Sequence, residues 1–467
     1  MQKTLLYKIV VIAVLMLLIG IPLLMIQATI HERMAFRQQA VASIAADSVG
    51  PQTVIGPVLV IPYTDDYEEQ VGGAGDPLKK VETVKHQVNR RHLVFPTQLQ
   101  VAGNIDTDSR YRGIHRVLVF SGQHSFSGNL DLPVKSELAR ANAGSRLTLG
   151  RPFVAVSIDD VRGIRNTPVL HWAGQLAPFR QGSGLLSMKS GLHATLAPLA
   201  LDEPARIAFA FELGLDGIES QQFAPLAKEM TVTLKSNWPH PQFGGHFLPA
   251  PKGRVVDAAG FSAAWSISSL ASDTEQQMTR AELAPRADGR SSAGSIDTFS
   301  VGFIEPVNVY TLADRATKYG LLFVALTFAA FFVFEILKRL PIHPIQYLLV
   351  GLALALFFLL LVGLSEHIAF LWAYCIASAA CTGLIGFYLA YVLRDRRRGY
   401  GFGAALGLLY CALYGLLISE NNALVLGSIL LFAVLAAMMV ATRKVDWYQV
   451  GKPDAPAGVA EQGTAQA

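Results

Sequence analysis

The sequence predicts a multi-pass α-helical membrane protein with six transmembrane helices and a large, mainly antiparallel, sandwich-like β domain outside the cytoplasm. Three observations predict it. The apolar runs are unevenly placed, one near the N-terminus and five crowded at the end of the chain. Lys and Arg fall on one side of the short loops between those runs. The long stretch between the first and second runs is built of short Val/Ile/Phe-rich segments cut by Gly, Pro, Asn and Asp. A mean hydropathy of +0.37 with only 16% charged residues agrees with an integral membrane protein.

Residues 1–8 carry Lys3 and Lys8 and form a cytoplasmic N-terminus; residues 9–27 follow as the first span. A cleaved signal peptide would have an apolar core of roughly 7–15 residues ending in a small-x-small site. Here the run continues through Pro22 to Ile26 with no such site directly behind it, which favours an uncleaved signal anchor. Five more runs cover residues 320–337, 345–363, 370–393, 402–418 and 424–441. Each is close to the roughly 17–25 residues that a helix needs to cross a bilayer. With the N-terminus inside, the inner segments carry Lys338, Arg339, Arg394, Arg396, Arg397, Arg398, Arg443, Lys444 and Lys452. The outer loops Ser365–His367 and Ser419–Asn422 hold no Lys or Arg. Lys and Arg resist translocation, so both termini are expected in the cytoplasm. Residues 28–314 then form a domain outside the cytoplasmic membrane, periplasmic if the cell is Gram-negative, residues 315–450 a five-helix bundle, and residues 451–467 a disordered tail. The formal charge of +4 follows from anchoring charges and asks for no nucleic acid.

In the exported region, His31–Asp47 lacks Gly and Pro and should extend the first helix until Gly50-Pro51 stops it. Strand-like stretches follow at Val54–Pro62, Arg91–Ile105, Arg116–Leu130 and Phe153–Ile158. Others lie at Arg206–Leu215, Met230–Leu234, Phe261–Ser268 and Phe299–Tyr310. Alternation in Thr231–Leu234 is that of a half-buried strand. One large sandwich and two smaller subdomains both fit the length. Two polar insertions, Asp65–Gln87 and Ser272–Ser295, read as surface segments, the first as a solvated hairpin or loop. Cys375, Cys381 and Cys411 all fall in predicted spans and read as small packing residues. The exported region has no disulfide, so its own core must hold it, and residues 52–308 alone should melt cooperatively.

Catalytic signatures are missing: no phosphate loop, no H-E-x-x-H, no G-x-S-x-G and no C-x-x-C. This predicts a non-enzyme with no catalytic residues, no metal and no cofactor. Nine of the eleven histidines lie in the exported region but are scattered, which favours surface histidine over a metal site. The segment Ser236–Pro249 is unusual for its three prolines and three aromatics. Trp238, His240, Phe243 and His246 there could contact a sugar or lipid; equally, the aromatics could plug one end of a sandwich. Glu335 at the inner end of the second span reads as paired with Lys338 and Arg339 one turn on. No charge sits mid-bilayer in the last four spans, which argues against ion-coupled transport. Two stripes of small residues, Gly403-Gly407-Cys411-Gly415 and Ser378-Thr382-Gly386, suit close helix packing within the bundle or a homo-oligomer face.

Several segments together resemble one family. They are Gly50–Gln52 with Val54–Pro57, the Ser236–Ala250 loop, Leu312–Tyr319 running into Ala325–Glu335, His343–Leu352, Leu364–His367, and Thr442-Arg443 with Asp446–Tyr448. The combination resembles the CreD family of cell envelope integrity inner-membrane proteins, from the anchor to about Tyr448. The resemblance implies a role in envelope integrity and stress under a two-component system, and it supplies no catalytic residues. It draws attention to Asp314, Arg315, Lys318, Glu335, His343, Gln346, Glu366 and His367, grouped at the two membrane faces of the second and third spans. Asp314, Arg315 and Lys318 could couple the β domain to the bundle, or simply anchor a helix end. The expected partners are the bilayer and an envelope lipid, glycan or periplasmic protein. The alternatives are a membrane enzyme using Glu366, His367 and His240, and, less favoured, a transporter.

Overall fold

A computed structural model of the chain describes residues 2–71, 82–113, 115–284, 291, 293–303, 305, 309–338, 342–392, 396–419 and 422–443. The expected disordered tail, the Gly-rich centre of the first insertion, and Arg339, Arg394, Glu420, Asn421, Lys444, Lys452 and Asp446–Tyr448 lie outside the described residues. The chain forms two compact units: Met1–Arg37 with Val307–Ala467, and Gln38–Pro306.

The helical unit takes the first part of α1 (Gln2–Asp47) and six later helices. These are α3 (Val309–Lys318), α4 (Gly320–Lys338), α5 (Pro344–Ser365), α6 (Phe370–Val392), α7 (Arg396–Ile418) and α8 (Ala423–Thr442). Among the described residues α1, α5, α6, α7 and α8 are long and apolar enough to cross a membrane. The pair α3–α4, bent by 44°, brings the number to six if it counts as one span. One stripe of α1, at Ile12, Ile19, Leu23, Ile26 and Ile30, is buried. Its spacing of three, four and seven residues is one face of a helix. The other faces, with Leu17, Leu24 and Met25, stay exposed, as expected of a helix whose remaining surroundings are lipid.

Close approaches in this unit occur where a side chain is missing. A Cβ on Gly351 of α5 would sit 1.8 Å from Ile19 Cδ1, so the glycine makes the seat for α1. A Cβ on Gly399 of α7 would meet the Ala390 backbone of α6 at 2.4 Å, and Gly403 faces Gly386. The two small-residue stripes therefore pack α6 on α7 at one end, whereas nothing lies within 4 Å of a Cβ on Gly407 or Gly415.

Two mixed sheets fill the second unit. The first runs Pro241–Gly245, Phe299–Phe303, Ser220–Phe223, Gln52–Val71, Phe153–Ile158, Gly191–Thr195 and Arg180–Gln181, with Glu82–Val94 and Arg146–Leu149 also paired to Gln52–Val71. The second runs Arg254–Asp257, Gly260–Ser268, Glu229–Ser236, Gln98–Arg112, His115–Leu132, Ala205–Ile218, Val169–Trp172 and Gln175–Pro178. Each contains one parallel pair, Gln52–Val54 with Gln221–Phe223 and Glu229–Ser236 with Gln98–Ile105; the other ladders are antiparallel. The sheets share one core, in which Phe299 of the first lies 5.3 Å from Trp265 of the second and Phe303 lies 5.1 Å from Phe120.

The first part of the strand Gln52–Val71, through Ile61, is buried on both faces, which explains its continuous apolar run. Val54, Leu59, Ile61 and Tyr63 join the shared core, while Ile55, Val58 and Val60 join a second cluster with Met278 and Ile296. Met278 belongs to α2 (Thr274–Leu283), which covers that second cluster. This corrects the expectation for Ser272–Ser295, since the segment buries Thr274, Met278, Ala281 and Glu282. It escaped notice because half of its buried face is polar and finds partners only in the folded chain. The first insertion does form a hairpin, paired from Leu59–Val94 to Val71–Glu82.

The C-terminal turn of α1 is held within this unit. Arg162 donates to the carbonyls of Ala45 and Ala46 at 3.0 and 2.6 Å, and Asp160 accepts from Gly50 N at 3.0 Å. A cation on the last carbonyls satisfies groups that the helix itself leaves unpaired.

Candidate functional site

The β unit contains a cleft of about 1110 Å³, just above the roughly 300–1,000 Å³ common for ligand pockets. Its wall is the hairpin of Gln52–Val71 and Glu82–Val94, which supplies Pro62, Tyr63, Asn89, Arg90, Arg91 and His92. Leu149 comes from the neighbouring strand, Leu186 from a loop, and Glu282 with Leu283 from the end of α2.

Charge in the cleft is layered. Arg90 Nε lies 3.2 Å from Asp65 Oδ2, and Arg91 Nη1 lies 3.1 Å from Glu282 Oε1. The carboxylate side chains are 0% and 3% exposed, the guanidinium side chains 34% and 32%. The acids thus sit behind the bases, and a ligand entering the cleft meets N–H donors first. Both acids are held from within. Asp65 accepts from Ala141 N at 2.6 Å. Glu282 accepts from Leu186 N at 2.8 Å, Ser187 N at 3.1 Å and Ser187 Oγ at 3.0 Å. A buried carboxylate with this many donors is a structural clamp that fixes α2, the 186–187 loop and Arg91 together. Tyr63 donates its hydroxyl to Ala139 O at 2.9 Å. Burial lowers the His92 imidazole from its ordinary value, and Glu137 opposes that shift.

The expected binding segment falls into two groups. Phe243, on an edge strand, packs edge-on against Phe261 and Trp265, each at 5.7 Å, and Trp238 rests on the shared core. Trp238 Nε1 donates to His240 O at 3.1 Å. His240 is exposed, and His246 Nδ1 lies 3.5 Å from Asp297. Core packing thus accounts for the two aromatics, while the two histidines face outward. Among the described residues no cluster of three or more His, Cys, Asp or Glu could hold a metal ion.

One histidine corrects the expectation of surface placement. His124 is 2% exposed, with its Nε2 at 2.9 Å from Gln221 Nε2. A Cβ on Gly122 would lie 2.3 Å from its ring and one on Gly103 2.8 Å, so both glycines make room for the imidazole. Burial holds it down at about 4, against hydrogen bonds to the Leu213 backbone, Gln221 and the Gly122 backbone.

In the helical unit the singled-out polar residues form two sets. Glu335 of α4 is paired with Lys8 of α1 and accepts from Tyr347 Oη of α5 at 2.8 Å. These partners are remote along the chain; the expected local pair with Lys338 and Arg339 lies outside the described side chains. His343 caps α5, accepting from Ile345 N at 3.3 Å while Gln346 returns the bond to His343 N. In the second set Asp314 meets Lys318 at 2.7 Å and His31 of α1 at 3.3 Å. Glu366 meets Arg33 of α1 at 3.5 Å and Tyr310 Oη at 3.2 Å. Arg315 lies in the last turn of α3, and His367 is exposed beyond α5. Sequence reasoning saw the acids but missed three of their partners, Lys8, His31 and Arg33, because they are remote along the chain.

The sequence profile described as Inner membrane protein CreD matches residues 4–448. The chain belongs to the CreD family. The inner membrane protein CreD of Escherichia coli (strain K12) is 37% identical over 442 residues, 94% of this chain and 93% of that one. This CreD-family chain is therefore an inner-membrane protein with several membrane-spanning helices and a large mixed β region. Among solved structures, an M1 zinc metallopeptidase from Deinococcus radiodurans has a TM-score of 0.18 at 8% identity, covering 45% of this chain and 42% of that one. Yeast LTA4 hydrolase in complex with Bestatin has 0.19 at 9%, covering 50% and 35%. Scores this low carry no argument about the chain.

Proposed function

We propose that this CreD-family protein supports the cell envelope by binding an envelope component, without catalysis, through its β unit, as part of a stress response under two-component control. In this reading α1, the bent pair α3–α4 and α5 to α8 make six crossings, and both termini are cytoplasmic. The β unit, a two-sheet sandwich, faces the periplasm. The open small-residue face at Gly407 and Gly415 is available for a second copy.

The charge pairs support this membrane placement. Lys8 and His31 stand about 35 Å apart along α1 at a rise of roughly 1.5 Å per residue. The hydrocarbon core of a bilayer is roughly 30 Å thick. Lys8 meets Glu335 at one end of that interval, and His31 and Arg33 meet Asp314 and Glu366 at the other. The tendency of Lys and Arg to stay on the cytoplasmic side supports this orientation, since Arg396, Arg397 and Arg398 open α7 while Ser365–His367 carries no Lys or Arg.

The observation that carries the binding role is the cleft, with its donors in front and its acids behind. The test is genetic. A deletion strain should become more sensitive to detergents, antibiotics or bacteriocins, and the intact gene should restore tolerance where Leu283→Glu in the cleft does not. A deletion strain as tolerant as its parent to all three would sink the reading.

A further inference from the structure

We infer that the cleft takes an anionic amphiphile, with a phosphate or carboxylate head on Arg91 and an apolar tail along Leu93, Leu186 and Leu283, which share its face of the hairpin. The inference rests on reading the cleft as the binding site and adds the class of ligand.

The head is argued from the layering of charge. Arg90 turns to Asp65 on one face of the hairpin, and on the other Arg91 uses Nη1 towards Glu282 and the Gly184 carbonyl at 2.8 Å. The Arg91 guanidinium keeps further donors in its fork, the geometry that recognises phosphate and carboxylate two bonds at a time. Its own counter-ion is buried and anchored by the Leu186 and Ser187 amides, so Glu282 cannot swing out to compete.

The tail is argued from what surrounds those donors. Leu283 is 74% exposed and Leu186 45% exposed, and both line the cleft beside Arg91. A single exposed leucine is ordinary, but two sharing one rim with a cation match an amphiphile rather than a free ion. The volume of about 1110 Å³ is also far more than an inorganic anion needs. A sugar is a poor fit, because among the described residues the only ring of Tyr, Phe or Trp in the lining is Tyr63, which is buried with its hydroxyl already donated to Ala139.

The test uses the full chain in phosphatidylcholine nanodiscs, titrated with dihexanoyl phosphatidylglycerol, dihexanoyl phosphatidylcholine and inorganic phosphate, with empty discs as the blank. The phosphatidylglycerol is expected to saturate, with the other two at least tenfold weaker. Leu283→Glu, at an exposed position, and Arg91→Gln should each weaken it at least tenfold, with unchanged melting for Leu283→Glu showing that the fold persists. Equal binding of the phosphatidylcholine would overturn the anionic head. Equal binding of inorganic phosphate would make this a simple anion site and overturn the tail, while no saturable binding, or binding unmoved by Leu283→Glu, would overturn the assignment. Complementation separates the two claims. If the lipid does not bind yet Leu283→Glu fails to complement, the ligand class falls and the role of the cleft stands. If the lipid binds yet Leu283→Glu complements fully, the site stands and the proposed function falls.

Discussion

His124 shows how one buried side chain ties stability to pH. Its imidazole sits between Gly103 and Gly122 inside the β unit and is held at about 4, against about 6.5 in an unfolded chain. A lowered folded-state value means that the unfolded chain takes up the proton first. The stabilisation is therefore complete above about pH 6.5 and is lost as pH falls from there to about 4, by about 3 kcal/mol in total. Urea unfolding of the β unit at pH 7, 5.5 and 4 should show this loss, and the slope should flatten in His124→Leu. An equal slope in both proteins would assign the acid sensitivity to carboxylates instead. Glu335 makes the matching case in the helical unit. Glu335→Ala leaves the Lys8 ammonium and the Tyr347 hydroxyl without their acceptor, and orphaned groups of this kind cost about 1–3 kcal/mol. The melting point of the full chain should fall accordingly, and Lys8→Met in the same chain should recover part of the loss.

Helix seating is decided by glycines whose role no periodicity announces. Gly351→Leu would drive a side chain into Ile19 and should lift α1 from α5, at about 1–3 kcal/mol for overpacking. Gly407→Ala, on the open side of α7, should leave melting within about 0.5 kcal/mol of the parent. Thermal melts of both variants in the same nanodisc compare a filled seat with an open face. The stripe Gly403-Gly407-Cys411-Gly415 was legible as a packing surface, but which of its glycines meets a neighbour was not. Spacing gives the face of a helix, and only the crossing point of two helices says where along that face they touch. Likewise the residues of α2 read in sequence as a polar surface segment, since Glu282 looks solvated until Leu186, Ser187 and Arg91 surround it.

For the whole molecule, the division at Arg37 and Gln38 places the last turns of α1 with the β unit. The Arg162 bonds to Ala45 and Ala46, the Asp160 bond to Gly50 and the ion pair of Arg112 with Asp47 give the reason. A fragment of residues 38–305 should therefore melt cooperatively and several degrees above one of residues 52–305, measured by circular dichroism. Equal melting points would mean that the helix end adds nothing to the unit.

The sequence by itself determined the class of protein and the course of the chain. Apolar runs of membrane-spanning length, basic residues beside some of their ends, a strand-rich region between them and a helix extended to Asp47 all follow from local composition and period. Tertiary structure alone decided which residues meet. Lys8 with Glu335, Arg33 with Glu366, and Arg90 and Arg91 in front of Asp65 and Glu282 are contacts between segments far apart in the chain. A side chain's type and its neighbours in sequence fix its propensity and the face on which it lies. Whether a charge is buried, paired or offered to a ligand depends on what the fold brings against it, and that is written in no local pattern.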